Sequence, residues 1–127
     1  MAATNGRAMK AKGSAFEREV VAYLRDNGFP YCERHYGAGR PDDVGDIDGI
    51  PGWTVEVKAH KTMDLAGWID EAEAERQHGR QRFAAVVAKR RNRPTADAYV
   101  VMSLSTFAEL LADDPPTPTN TERTATR

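Results

Sequence analysis

The spacing of hydrophobic and polar positions changes several times along this chain, and each change marks an element. Phe16, Val20, Tyr23 and Leu24 recur at helical intervals, predicting a helix from Ser14 to about Asp26 that Gly28 ends. Ser14, followed three residues on by Glu17, has the form of a capping box. Phe29–His35 suits a first strand, with Pro30 confined to its start, and the Gly-, Pro- and Asp-rich stretch to Gly45 reads as a loop. From Gly45 to Lys58 the period becomes two. A three-residue loop from Ile50 to Gly52, with Gly52 left-handed, pairs Gly49 with Trp53, Ile47 with Val55 and Asp46 with Glu56. That register puts Ile47, Val55 and Val57 on one face and Asp46, Asp48, Glu56 and Lys58 on the other.

Helical spacing returns at Leu65, Trp68, Ile69 and Ala72, predicting a helix over Met63–His78 with Asp64 as cap and Gly79 as stop. The unbroken run Phe83–Ala88 is a strand buried on both faces. A basic turn, Lys89–Pro94, leads to a strand over Ala98–Leu104 and then to a short helix with Phe107, Leu110 and Leu111, capped by Ser105 or Thr106. The elements run helix, three strands, helix, strand, strand, helix, which predicts an α/β domain with a mixed five-stranded sheet flanked by helices. Residues 1–12 read as a flexible basic arm, 13–112 as the domain, and the Pro- and Thr-rich residues 113–127 as a disordered tail.

Composition narrows the function classes. With 127 residues and 40% hydrophobic content, the chain builds one globular core. A single cysteine, Cys32, excludes a disulfide framework, and His35, His60 and His78 lack a zinc-ligand spacing. No apolar run reaches membrane-span length and no secretory signal opens the chain, so a cytoplasmic location with no membrane partner is expected. The formal charge of −1 makes no global case for nucleic acid, but basic clusters lie at Lys10–Lys12 and Lys89–Arg93.

The chemistry concentrates on the hairpin. Asp46 and Glu56 side by side repel unless something positive sits between them, and a divalent cation held by oxygen ligands fills that role. Glu17, at one hundred degrees per residue, falls on the inward arc of its helix, and is either a capping residue at the helix edge or a side chain aimed at the same cluster. Lys58 shares the face of Glu56 and can offset developing negative charge. On the second helix, Glu71, Glu75 and Gln77 are within reach of the site but read better as a solvated acidic face, and Trp68 as core or dimer contact.

An Asp, a turn and then Glu-x-Lys resembles the core of the PD-(D/E)XK nuclease superfamily. With Lys12-Gly13-Ser14-Ala15-Phe16-Glu17-Arg18-Glu19, Gly28-Phe29 and Arg34 ahead of Asp46 and Glu56-Val57-Lys58, the chain resembles the archaeal and phage-type Holliday-junction resolvases over roughly residues 10–112. The resemblance implies a restriction-endonuclease-like αβββαβ core and a catalytic set of Glu17, Asp46, Glu56 and Lys58. It also implies Mg²⁺, with Mn²⁺ able to substitute, on Asp46, Glu56, Glu17 and the Val57 carbonyl. The Asp46-to-Glu56 spacing is shorter than is usual in the archaeal enzymes, and Asp42 or Asp43 would restore it; Asp46 alone enters the strand in the register that buries Ile47.

The function expected is metal-dependent cleavage of branched DNA, the four-way junction, by a homodimer, because two symmetric cuts need two copies of one site. The alternatives are a general PD-(D/E)XK nuclease acting on flaps, ends or duplex, and a non-catalytic DNA-binding module. Phosphate contacts are expected from Lys10, Lys12, Arg18, Arg34, Arg40, His60, Lys61, Lys89, Arg90, Arg91 and Arg93, so binding should weaken steeply with salt.

Overall fold

Helix α1 covers Ala2–Asp26, as seen in a computed structural model that describes residues 2–35 and 45–113, with side chains from residue 12 onward. The start expected at Ser14 is therefore corrected to Ala2. No proline interrupts residues 2–12, and Ala, Met, Lys and Arg favour the helix strongly enough for Gly13 to be carried within it. Ser14 is accordingly not a cap; its hydroxyl accepts from Arg34 Nη2 at 3.2 Å. At the other end the expectation agrees with the structure. Gly28 takes a φ of +107°, and Phe29 N–H closes on the Leu24 carbonyl at 3.0 Å.

Strands β1 (Glu33–Arg34), β2 (Ile47–Asp48), β3 (Trp53–Lys58), β4 (Phe83–Ala88) and β5 (Tyr99–Val101) form one sheet in that spatial order. The β3–β4 pair is parallel and the others are antiparallel, so the sheet is mixed. Ile47 lies opposite Val55, the register that parity predicted. Gly52 closes the turn at φ +85°. Gly49, at φ +92°, passes so close to the Tyr31 carbonyl that a Cβ there would collide with it. The first strand is much shorter than Phe29–His35, because Pro30 lacks an amide hydrogen and Cys32 N–H turns back to the Phe29 carbonyl at 3.0 Å. The last strand also falls short of Ala98–Leu104. A 3₁₀ turn over Thr95–Asp97 ends with Ala98 N–H bonded to the Thr95 carbonyl, and the next helix already begins at Leu104.

Helix α2 (Leu65–His78) connects the two parallel strands and has the expected caps: Asp64 accepts from Gly67 N–H at 3.1 Å, and Gly79 follows its end. Helix α3 (Leu104–Asp113) is capped by neither Ser105 nor Thr106. Ser103 Oγ does so, accepting from Thr106 N–H at 3.1 Å.

The two faces of the sheet carry different cores. Phe16, Val20 and Val21 of α1 pack with Cys32, Ile47, Val55 and Val57. Trp68 and Ala72 of α2 pack with Ala84, Val86 and Ala88 on the other face. Alternation in the central strands produces this division, since neighbours in a parallel register share a face: Val57 beside Val87 towards α1, Glu56 beside Val86 towards α2. Among the described residues no helix is long and apolar enough to cross a membrane.

Candidate active site

Strand β3 delivers three polar side chains to the α2 side. With Val55 and Val57 turned into the α1 core, Thr54, Glu56 and Lys58 must face the other way. Strand β2 is short, and just outside it Asp46 turns its side chain along the edge of β3. Asp46 Oδ2 accepts the Val57 N–H at 2.7 Å, while its own N–H donates to the Val55 carbonyl at 2.8 Å. In an extended strand the N–H and C=O of one residue point the same way, so the Val57 carbonyl also faces this edge.

Glu17, Asp46, Glu56, Val57 and Lys58 line one cavity of about 250 Å³, together with Gly13, His60 and Glu71. Glu17 reaches it from α1, on the opposite face of the sheet, and Arg34 of β1 fixes it through an Nε–Oε1 contact of 3.0 Å. The five residues singled out for metal and catalysis thus share one space. Asp42 and Asp43, the candidates for a longer spacing, lie outside the described residues.

The charge balance is unusual. Glu56 is only 3% exposed, and no donor among the described residues reaches its Oε2. Burial raises its carboxyl far above the ordinary 4.5, to about 11; hydrogen bonding to Glu75 and the charges of Asp46, Glu75 and Glu71 add to the shift. A carboxyl–carboxyl hydrogen bond needs one partner protonated, so without a proton or a cation this pair is simply repulsive. Lys58 Nζ donates to Glu71 Oε1 at 2.8 Å. Burial alone would lower the amine, but that bond and the charges of Glu71, Glu56 and Asp46 outweigh it and hold Lys58 above its usual value. Lys58 is therefore a fixed positive charge at neutral pH, not a proton acceptor.

One consequence is a pH dependence of opposite sign to that of a paired carboxylate. The unfolded chain releases the Glu56 proton near 4.5, whereas the fold retains it up to about 11. Between those values the unfolded state binds fewer protons, so stability falls as pH rises, by up to about 1.4 kcal/mol per unit. Thermal melts in EDTA from about pH 5 to about pH 8 should show a steeper loss for the wild type than for Glu56→Gln; parallel slopes would overturn the assignment.

One contributor was misread from sequence. Of the pair expected on a solvated face, Glu71 is exposed although it also lines the cavity, whereas Glu75 is only 5% exposed. The signal was present in the spacing: Trp68, Ala72 and Glu75 stand at i, i+4 and i+7, one stripe of a helix, and all three are buried. Gln77 is exposed, and Trp68 is core, with the His60 ring tilted against it at 5.7 Å between ring centroids.

The expected basic rim divides. Lys12, His60, Lys61, Lys89 and Arg91 line a second cavity of about 290 Å³ that adjoins the first through Ala59 and His60. Arg90 instead lies over the Tyr99 ring at 5.5 Å, and Arg93 pairs with Asp97 at 2.9 Å. Arg18 lines a separate groove with Arg25 and Arg34. Arg40 and the Lys10 side chain lie outside the described residues. Compared with known proteins, the chain matches no family model, no curated protein and no solved structure.

Proposed function

We propose that this protein is a metal-dependent endonuclease that cleaves phosphodiester bonds in branched DNA, built on a restriction-endonuclease-like core of the PD-(D/E)XK type. The observation that carries the reading is the meeting of Glu17, Asp46, Glu56 and Lys58 in one cavity, next to a groove lined by Lys12, Lys61, Lys89 and Arg91. Three acids and one amine suit a metal-dependent phosphodiester site, and the adjoining cations suit the flanking phosphates of a strand.

The residues fit a cation. Among the described residues no donor reaches the buried Glu56 Oε2, and a hard divalent ion is a partner that suits such an oxygen. Asp46, Glu56 and the Val57 carbonyl, with Glu17, would hold Mg²⁺ or Mn²⁺, which when bound polarises the phosphate and acidifies coordinated water. Lys58, kept charged by Glu71, offsets negative charge building on the phosphate oxygens. Val57 N–H fixes the orientation of Asp46, and Arg34 that of Glu17, so both acids are aimed before substrate arrives. Paired cuts across a four-way junction imply a homodimer, two such cavities related by a twofold axis.

Linear duplex, flap and four-way substrates incubated side by side with Mg²⁺ test the proposal. Preferential, paired cutting of the four-way substrate is the expected result. Equal cutting of all three would reduce the assignment to a general nuclease, and no cutting of any would remove it.

A further inference from the structure

We infer that helix α3 is the contact through which two copies of this chain pair, the apolar face of one α3 laid on that of the other about a twofold axis. At one hundred degrees per residue, Phe107, Leu111, Leu104, Ala108 and Ala112 fill an arc of about 140° that holds no charge. All five are exposed, Leu104 by 80%, Leu111 by 51% and Phe107 by 48%. Little of the helix turns inward: Thr106 is its one buried residue, and Leu110 is half-buried. An ordinary surface helix has the reverse arrangement, with its apolar stripe on the core.

The chemistry of the face selects its occupant. The only charges on α3 are Glu109 and Asp113, so the helix repels phosphate and lacks the Lys and Arg that hold an amphipathic helix on an anionic membrane. Residues 114–127, next in the chain, contain no aromatic residue and no Leu, Ile, Val or Met to lay on the arc. Trp68, the other candidate for a subunit contact, is buried in the α2 core. A second copy fits. Across a twofold axis a patch faces itself, and an arc without charge meets no like charge. Ala108 and Ala112 beside Leu104, Phe107 and Leu111 alternate small with large, which lets two such helices interlock.

A stable interface takes roughly 800 Å² from each partner, more than a helix roughly 15 Å long supplies alone. The surface extends upstream. Ala98–Ala108 runs eleven residues without a charge, in a chain of which 29% is charged, and it includes Val100 of the edge strand β5, 59% exposed. Asp113 pairs with Arg82, just ahead of β4, whereas the catalytic cavity opens beside Lys58, level with the far end of β4 at Ala88. Pairing through α3 therefore leaves both cavities open. The use of two cavities for paired cuts rests on the nuclease proposal; the contact itself does not.

Sedimentation equilibrium of the full chain, without DNA or metal, tests the contact. The wild type should run at twice the 14.0 kDa of one chain, and Leu104→Glu and Leu111→Glu should each return it to one. Both leucines are exposed, so their substitution disturbs little inside a subunit and the variants should keep the wild-type circular dichroism. A wild type that stays monomeric overturns the proposal, and so does a dimer that both variants retain. Should either variant fail to fold, Ala108→Arg, exposed in the middle of the arc, is expected to give the same monomer, and a dimer that survives it overturns the proposal. Cleavage is read separately: a dimer that cuts no DNA removes the nuclease and leaves this contact, whereas a monomer that cuts four-way junctions leaves the nuclease and removes the contact.

Discussion

Asp46→Asn is expected to lower Mg²⁺-dependent cleavage of a four-way junction on the order of a thousandfold, with little change in stability. The asparagine amide oxygen can still accept the Val57 N–H that holds residue 46 against β3, so the backbone arrangement survives. What disappears is one formal charge from the cavity shared with Glu56 and Lys58. Loss of that charge also relieves repulsion on Glu56, so the variant should melt no lower than the wild type in EDTA. Single-turnover cleavage with Mg²⁺ or EDTA, alongside a thermal melt, measures both effects. Near-wild-type cleavage by the variant would sink the assignment of Asp46; full loss on Asp43→Asn instead would move the role to Asp43.

Phe16→Ala should cost about 3–5 kcal/mol of folding stability, the usual range for truncating a buried aromatic. Phe16 is 1% exposed and sits among Val20, Val21, Val55 and Val57, where α1 meets β3. Close packing leaves the neighbours little room to collapse into the space vacated. Lys89 holds its ammonium 5.8 Å from the ring centroid, so the same truncation removes a platform beneath the basic groove. The next residue, Glu17, would also lose a rigid backbone from which to reach the cavity. Urea unfolding measures the change; a shift below about 1 kcal/mol would show that the α1–β3 contact is not a main stabiliser.

Apart from its short edge strands, the sheet was legible because its signals are local. Pro51-Gly52 names the turn, and once the turn length is set, alternation alone puts Ile47 with Val55 and Glu56 on the opposite face. The run Phe83–Ala88 ended where its apolar residues end. Boundaries governed by competition were less legible. Ser14 looked like a cap, but nothing before it stops a helix, and continuing the helix satisfies more backbone groups than ending it there. Glu75 looked solvated because glutamate on a helix usually is, and its burial depends on how deeply α2 settles on β4 through Trp68 and Ala72.

By itself the sequence determined the parity of β3, and with it that Glu56 and Lys58 share a face away from Val55 and Val57, because a pleated backbone leaves each side chain only two directions. Only the tertiary structure decided that Glu17 from the other face of the sheet and Glu71 from α2 open onto the same cavity, since no local rule sets how far helices slide along a sheet. The crowding of Glu56 by Glu75 and Asp46 was likewise decided there: burial itself raises the Glu56 carboxyl most, and it leaves the neighbouring charges poorly screened.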